Sequence, residues 1–204
     1  NRISITEEIS ELFSCEVELL HEENDEGYEA TDFDVTSILG KGVVMEIGQR
    51  DGTTRTWSGI VNSFSKGNRS TRFSYYHATV VPHVWLLTQV VQSRIFQHKS
   101  VPDILKEVLA DFEVSYEIQG DFKPRNYCVQ YRETDFAFAS RLMEEEGFFY
   151  YFEHADGKHK MIIANTPQSH IEVPSKSTID YFIKSSREED FIGTIRDLWV
   201  DCRL

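Results

Sequence analysis

The spacing of apolar residues changes near Pro82, and this change limits the possible folds more than any other feature of the chain. Before Pro82, apolar and polar residues alternate in short segments, with Phe13, Cys15, Val17 and Leu19 on one side of the first. A period of two is typical of a strand with one buried face. Roughly four to six such strands within about 80 residues predict a small β-barrel or sandwich.

Glycine marks the turns of this first part. Residues 43–47 alternate, Asp51-Gly52 follows, and residues 53–61 alternate again, so the sequence predicts a β-hairpin. Lys66-Gly67-Asn68 predicts another turn, which leads into a long strand over residues 73–81. The polar residues 21–34 predict an exposed loop, and the register of the first strand predicts that its cysteine is a small buried hydrophobe.

Helical spacing begins after Pro82. Residues 85–91 predict a short helix. The hydroxyl of Ser100 can cap the free amides of a further helix, which Pro102 and Asp103 suit at its first turn and which we expect to end near Phe112.

The rest of this second part combines strands with one more helix. Residues 114–118 and 127–131 predict strands. Thr134 can cap a helix whose apolar positions are Phe136, Phe138, Ala139, Leu142 and Met143, and Gly147 is placed to end it.

An aromatic run over residues 148–152 predicts a strand buried on both faces, and the Asp156-Gly157 turn returns it through residues 160–164. Thr166-Pro167 and Pro174 indicate a linker. Residues 179–184 and 192–204 then resume strand-like alternation, and the chain stops inside that pattern, which predicts a truncation within the fold.

These elements predict a mainly β, α+β fold in which a small β-barrel carries an inserted α+β module. Residues 1–82 form the first part of the barrel, and residues 83–165 form the module. Residues 166–204 provide the linker and the return strands of the barrel.

Charge and composition exclude several classes of function. The net charge is −13, and residues 1–34 hold twelve acids against one base, Arg2. An acidic balance argues against nucleic-acid binding, which needs a basic face. We interpret this acidic block as solvated surface, with a docking surface for a basic partner as the alternative. No apolar run approaches the roughly 20 residues of a membrane-spanning helix, and the first residues lack a basic region followed by an apolar stretch, so we expect no secretory signal. Three widely spaced cysteines predict neither a disulfide framework nor a metal site.

Several motifs resemble catalytic or phosphate-binding patterns without their context. Ser63 and Lys66 match S-x-x-K, but a strand replaces the helix that would bring the lysine to the hydroxyl. Gly40-Lys41-Gly42 lacks the hydroxyl residue and the helix of a phosphate loop, so it predicts a turn entering a strand. Asn68 begins an N-x-[ST] sequon, but nothing in the sequence indicates a eukaryotic secretory route.

Two sets of acidic residues on the predicted helices are the remaining candidates for acid–base or metal chemistry. Glu144, Glu145 and Glu146 point about 100° apart on a helix and cannot converge on one ligand. Asp103 and Glu107 lie one helical turn apart. Paired acids can serve glycoside hydrolysis, but this spacing is also typical of a solvated helix face, which is the interpretation that we favour.

The histidines form no H-x-x-x-H pattern. His154 and His159 flank a tight turn and could approach each other, but no third metal ligand accompanies them. His77 on the aromatic strand is interpreted as a core or interface residue. We therefore predict no catalytic, cofactor-binding or metal residues, no cofactor and no enzyme activity.

Residues 128–154 closely resemble the signature stretch of the VgrG family of type VI secretion spike proteins. The most distinctive parts are residues 131–136, Tyr-Arg-Glu-Thr-Asp-Phe, and residues 143–147, Met-Glu-Glu-Glu-Gly. Further matches follow the same order along residues 12–165: Leu39-Gly40-Lys41, Gly59-Ile60-Val61, Trp85-Leu86-Leu87-Thr88, Ser93-Arg94-Ile95-Phe96-Gln97 and Ser100-Val101-Pro102-Asp103-Ile104-Leu105. Gly42 departs from the family, which often has proline there.

The resemblance implies a fold like the hub of a contractile phage baseplate. It also implies a homotrimer that caps the Hcp tube, helps deliver effectors, and works with effector or adaptor proteins. Such a protein is assembled in the bacterial cytoplasm and then secreted through the type VI machine. We expect residues 21–34 to lie on the outer surface of such a ring, because three acidic blocks facing inward would repel one another.

Two alternatives remain open. The chain could be the baseplate hub of a phage or of a phage-derived injection device, which shares the fold. It could instead be an enzyme that uses the pair Asp103 and Glu107 or the pair His154 and His159.

Overall fold

The computed structural model describes residues 2–22, 35–48, 54–69 and 73–169. The first strands are β1 (Arg2–Thr6), β2 (Ser14–Glu22), β3 (Gly42–Gly48), β4 (Thr54–Arg69) and β5 (Phe73–Val81). They form one antiparallel sheet in the order β1-β2-β5-β4-β3, curled into a half-barrel, and a short 3-10 helix, Val35–Ile38, precedes β3. The predicted mainly β fold class is confirmed.

One face of the half-barrel sheet holds the first hydrophobic core. Its buried members are Phe13, Cys15, Val17, Met45, Trp57, Val61, Ala78 and Val80. Full burial of such side chains contributes about 1.5–3 kcal/mol each. The predicted burial of Cys15 is confirmed at 0% exposure, whereas Leu19 is 38% exposed although it shares its register, because β2 runs beyond the cover of the core there.

Two sequence predictions for the half-barrel were wrong, and one strand was missed. Strand β1 was not predicted, although it pairs with β2 along its whole length. The first residues of the loop predicted over 21–34 belong to β2, which continues to Glu22. Lys66-Gly67-Asn68 is not a turn, because β4 continues to Arg69 through a β-bulge between Lys66 and Arg69. Gly67 suits this bulge because a Cβ there would lie 3.1 Å from Nε2 of His77.

After β5 the chain builds a second, α+β part. A 3-10 helix, His83–Thr88, leads to β6 (Val91–Phe96), α1 (Val101–Val108), β7 (Val114–Glu117), β8 (Cys128–Thr134), α2 (Asp135–Glu146), β9 (Phe149–Ala155) and β10 (Lys158–Ala164). Strands β6 and β8 form a two-stranded sheet, and β7, β10 and β9 form a three-stranded sheet in that order. A last 3-10 helix spans Pro167–Ser169.

Both helices begin where the sequence predicts. The hydroxyl of Ser100 accepts from the amide of Asp103, and the hydroxyl of Thr134 accepts from the amide of Ala137. Helix α1, however, ends at Val108 rather than near Phe112, and the predicted helix over residues 85–91 is a 3-10 helix followed by β6. The backbone pairing of β6 with β8 overrides the apolar spacing of the Val90-Val91 pair.

The second core lies among the two helices and the three-stranded sheet. Its most buried members include Ile104, Leu105, Phe138, Leu142 and Ile163. Phe152 of β9 packs against both cores and so connects them. The prediction that residues 148–152 are buried on both faces was wrong, because Phe149, Tyr151 and Phe152 are half-buried on an edge strand.

Some sequence predictions lie outside the described residues. These are the Asp51-Gly52 turn, most of the acidic loop, the linker at Pro174 and the strands predicted over residues 179–184 and 192–204. Within the described residues, no helix is long and apolar enough to cross a membrane.

Candidate functional site

The segment that carries the resemblance, residues 128–154, is organised by a buried polar network. Nη2 of Arg94 donates to Oδ1 of Asp135 at 2.6 Å, and its Nε donates to Oε1 of Gln130 at 2.8 Å. Gln130 is fully buried and in turn donates to Asp135 at 2.7 Å. Because each buried group is paired, the network can sit beside a hydrophobic core, and it locks β6 to the start of α2.

The end of α2 is also set locally. Gly147 adopts a left-handed conformation with φ of 71°, and its amide donates to the carbonyl oxygen of Glu144. The amide of Phe148 then donates to the carbonyl oxygen of Met143 at 2.8 Å. These bonds satisfy carbonyl groups that a helix end leaves free, so the predicted C-terminal glycine cap is confirmed.

The glutamates at the end of α2 face arginines rather than a common ligand. Arg125 contacts Glu145 and Glu146 at 2.5 Å each, and Arg141 contacts Glu133 at 2.6 Å and Glu145 at 3.1 Å. Arg125 is the main cause that lowers the pKa of Glu145, with Arg141 adding to it and burial opposing it. This partly exposed ion network links α2 to the loop before β8.

The acidic pair on α1 does not form a joint site. Asp103 receives the hydroxyl hydrogen bond of Ser100 at 2.5 Å, whereas Glu107 is bound to Lys99. The hydrogen bond from Ser100 is the main cause that lowers the pKa of Asp103. A general acid at neutral pH needs a raised pKa, so this geometry does not suit acid–base catalysis.

The motifs of the half-barrel serve its architecture. Ser63 and Lys66 both lie within strand β4, so the helix required by an S-x-x-K nucleophile is replaced by a strand. Gly40 has φ of 76°, its amide donates to the carbonyl oxygen of Val61, and the amide of Val61 donates to Lys41. The predicted turn entering a strand is therefore confirmed there. His77 was interpreted as a core or interface residue; it is exposed on β5 and is therefore not in the core, while its place in an interface stays a prediction.

The two histidines of the β9–β10 hairpin do approach each other. His154 and His159 are direct cross-strand partners, and their ring centroids are 6.0 Å apart. Between them the chain turns through Asp156 and Gly157 with φ of 51° and 72°, as the sequence predicts. Within the described ranges, no group of three or more histidine, cysteine, aspartate or glutamate residues is arranged to hold a metal ion.

The surface offers two features suited to protein contacts. The outer face of the β6–β8 sheet exposes Val91, Ile95 and Tyr131 by 63%, 60% and 67%. A cavity of about 460 Å³ lies where the half-barrel meets the second part, lined by residues that include Val44, Ile60 and His159. Exposed apolar surface of this kind is typical of proteins that bind other proteins.

Comparison with known proteins places this architecture in a family. The phage tail baseplate hub (GPD) family matches residues 6–199. The type VI secretion system spike protein VgrG1b of Pseudomonas aeruginosa is 35% identical over 184 residues, which is 89% of this chain and 24% of that protein. The spike protein VgrG1c of the same bacterium is 36% identical over 194 residues, 93% of this chain and 26% of that protein.

A solved structure shares the fold. A type VI secretion system component of E. coli, described as similar to T4 bacteriophage tail proteins, superimposes with a TM-score of 0.68 at 19% identity, over 83% of this chain and 48% of that one. The chain belongs to the phage tail baseplate hub family, and the resemblance to VgrG spike proteins is confirmed. It spans about a quarter of the length of the relatives it matches.

Proposed function

We propose that this chain is a structural part of the hub at the base of a type VI secretion spike. The observation that carries the proposal is the match to VgrG spike proteins across 89% and 93% of the chain. The described residues fit a structural role, because their charged clusters are engaged in ion pairs and caps rather than gathered around a reacting centre. We infer that the chain itself is not an enzyme.

In this proposal the chain assembles as a homotrimer that caps the Hcp tube and helps deliver effectors. The uncovered apolar face of the β6–β8 sheet supports an assembly role, since it leaves area available for protein contacts. Effector or adaptor proteins are further partners. The protein is assembled in the bacterial cytoplasm and leaves the cell through the type VI machine.

The proposal includes a domain arrangement. Residues 1–82 supply the first part of a β-barrel, residues 83–165 an inserted α+β module, and residues 166–204 the linker and return strands. The buried members of the first hydrophobic core all precede Pro82 and those of the second core all follow it, which supports the first boundary. We also place the acidic block of residues 21–34 on the outer surface of the hub, where its charge is solvated.

A chimera tests the hub role directly. The matching N-terminal part of VgrG1b is replaced by this chain, and secretion of the tube protein is measured in cells that lack the native spike protein. Restored secretion is expected, because the chain matches that part of VgrG1b over 184 residues. A stable chimera that restores no secretion would contradict the proposal. A matched chimera carrying Asp135→Ala, which breaks the buried network, serves as the destabilised control.

Assembly is tested on the isolated chain by size-exclusion chromatography with light scattering. A mass of three times 23.7 kDa supports a hub that trimerises by itself. A monomer contradicts autonomous assembly and places the trimer contacts in other parts of the spike.

The second candidate function is the baseplate hub of a contractile phage tail or phage-derived injection device. The family match over residues 6–199 favours it as a class. Neighbouring genes separate the two functions, because genes for Hcp and sheath proteins indicate secretion, whereas capsid and tail genes indicate a phage.

A further inference from the structure

The tip of the β9–β10 hairpin is fastened by two histidines that accept hydrogen bonds from backbone amides. Nδ1 of His154 accepts from the amide of Ser58 in β4 at 3.1 Å. Nε2 of His159 accepts from the amide of His83, where the 3-10 helix begins, at 2.8 Å. A ring nitrogen can accept only while it carries no proton. Both contacts therefore require an unprotonated acceptor.

Aromatic rings enclose these histidines. Phe13, which is 1% exposed, packs its ring 5.0 Å from that of His154 and 5.7 Å from that of His159. Phe152 lies 6.3 Å from His159 and contacts both hydrophobic cores. The hairpin tip is therefore the place where the half-barrel and the second core are joined.

The charged groups around this joint do not offer His159 a counter-ion. Glu7, paired with Arg55 at 3.0 Å, faces Nε2 of His154 at 3.4 Å. His159 itself faces His154 and His83, and it forms no ion pair with any residue that the structure describes. Glu113 and Lys158 line the same cavity as His159, but they add opposite charges to it.

The folded structure lowers the pKa of both His159 and Glu7. Burial, helped by His154 and His83, lowers the pKa of His159 from 6.5 to about 4. The His154 imidazole is the main cause that lowers the pKa of Glu7; burial opposes it, and Trp57 and Arg55 lower it further. The unfolded chain therefore takes up protons before the folded chain does. Stability contributed by these groups is present above their ordinary pKa values and is lost as the pH falls through the folded values.

We propose that this cluster is an acid-sensitive joint, in which protonation of His159 removes its bond to His83 and releases the β9–β10 hairpin, together with its second bond to Ser58, from the half-barrel. The helices of the second core stay folded during this release, because their contacts involve Leu105, Phe138 and other apolar groups that do not titrate. The released state exposes Phe13 and the lining of the junction cavity.

The test follows the amide NMR signals of Ser58 and His83 in the 204-residue chain between pH 7.5 and 3.5, with the signals of α1 as an internal reference. The two amides are expected to lose their native shifts together, below pH 6.5, while α1 remains native. In His159→Gln the side-chain oxygen can still accept from the amide of His83 but does not titrate. The pH at which half of the native amide signal is lost is therefore expected to fall by about half a pH unit or more. The control His21→Gln changes an exposed residue of β2 and leaves the midpoint unchanged.

Two results would contradict the proposal of an acid-sensitive joint. One is loss of the Ser58, His83 and α1 signals in a single step. The other is an unchanged midpoint in His159→Gln. If that variant does not fold, His159→Asn, whose side-chain oxygen also accepts without titrating, decides through the His83 amide, where an unchanged midpoint again contradicts the proposal.

Discussion

At the scale of single residues, the half-barrel depends on positions where two strands approach too closely for a side chain. Gly59 in β4 is the clearest of these. A Cβ built there would lie 2.6 Å from Cγ1 of Val80 and 2.7 Å from the carbonyl oxygen of Val81. The carbonyl belongs to the backbone of β5 and cannot move without disturbing the sheet. Gly42, one strand away, has nothing within 4 Å of its Cβ position.

Gly59→Ala is therefore expected to destabilise the protein by about 1–3 kcal/mol, because the added methyl group overpacks the contact between β4 and β5. Gly42→Ala is the matched control, with an expected change within about 1 kcal/mol, since the site is open and its φ is not left-handed. Urea unfolding of both variants measures the difference. Equal stability of the two variants would contradict the close approach.

The buried carboxylate of Asp135 is the second critical residue. It is 5% exposed and accepts from both Arg94 and Gln130. Asp135→Ala is expected to cost about 3 kcal/mol, since it leaves a charge and a buried amide without their partner. Thermal unfolding measures this cost. Glu144→Ala, on the exposed side of the same helix, is the control and is expected to change stability by less than about 0.5 kcal/mol.

At the scale of elements, helix boundaries follow the local sequence closely. The hydroxyl of Thr134 caps α2 with a bond of 3.1 Å to the amide of Ala137, and Gly147 ends the helix. Both positions were predicted, because a cap depends on the residue type and on groups within one turn. Strand boundaries were harder to predict. β4 continues through Gly67 because its pairing with β5 accommodates a bulge, and the sequence around Gly67 does not show that pairing.

Thr134→Ala is expected to destabilise the protein by about 1 kcal/mol through the lost cap, whereas Thr134→Ser keeps the hydroxyl and retains most of the stability. Chemical unfolding of the two variants measures the cap directly. A serine variant as unstable as the alanine variant would show that the methyl group of Thr134, rather than its hydroxyl, stabilises the helix start.

At the scale of the whole molecule, Phe152 connects the two hydrophobic cores. Its ring packs edge-on against Phe13 of the first core at 5.1 Å and lies 6.1 Å from Tyr150 of the second. Phe112, by contrast, packs against the second core alone among the described residues. Variants of Phe152 and Phe112 can therefore distinguish coupling between the two cores from the stability of the second core alone.

Phe152→Ala is expected to cost about 2–3 kcal/mol, less than the full burial cost of a phenylalanine because the ring is half-buried. Hydrogen exchange should accelerate in both β2 and β10 of this variant. In Phe112→Ala, faster exchange is expected in β10 but not in β2. Unchanged exchange of β2 in Phe152→Ala would contradict the coupling.

The sequence alone determined the local features of this protein and its family. Helix caps at Ser100, Thr134 and Gly147 and the turn at Asp156-Gly157 follow from interactions within a few residues, so they can be predicted from the chain. The burial of Cys15 was predicted from alternation along its strand, although the same alternation did not predict the exposure of Leu19. The matches along residues 12–165 identified the family for a related reason, since they preserve residue types in order.

Only the tertiary structure decided which surfaces meet. The pairing of β1 with β2, the bulge in β4 and the strand character of β6 each depend on a partner distant in sequence. The same is true of the histidine joint. His154 and His159 were predicted to be near each other. The amides that donate hydrogen bonds to them belong to Ser58 and His83, which lie 96 and 76 residues away in the sequence. Periodicity reports which side of an element is apolar, whereas the element that covers it is set by packing of the whole chain.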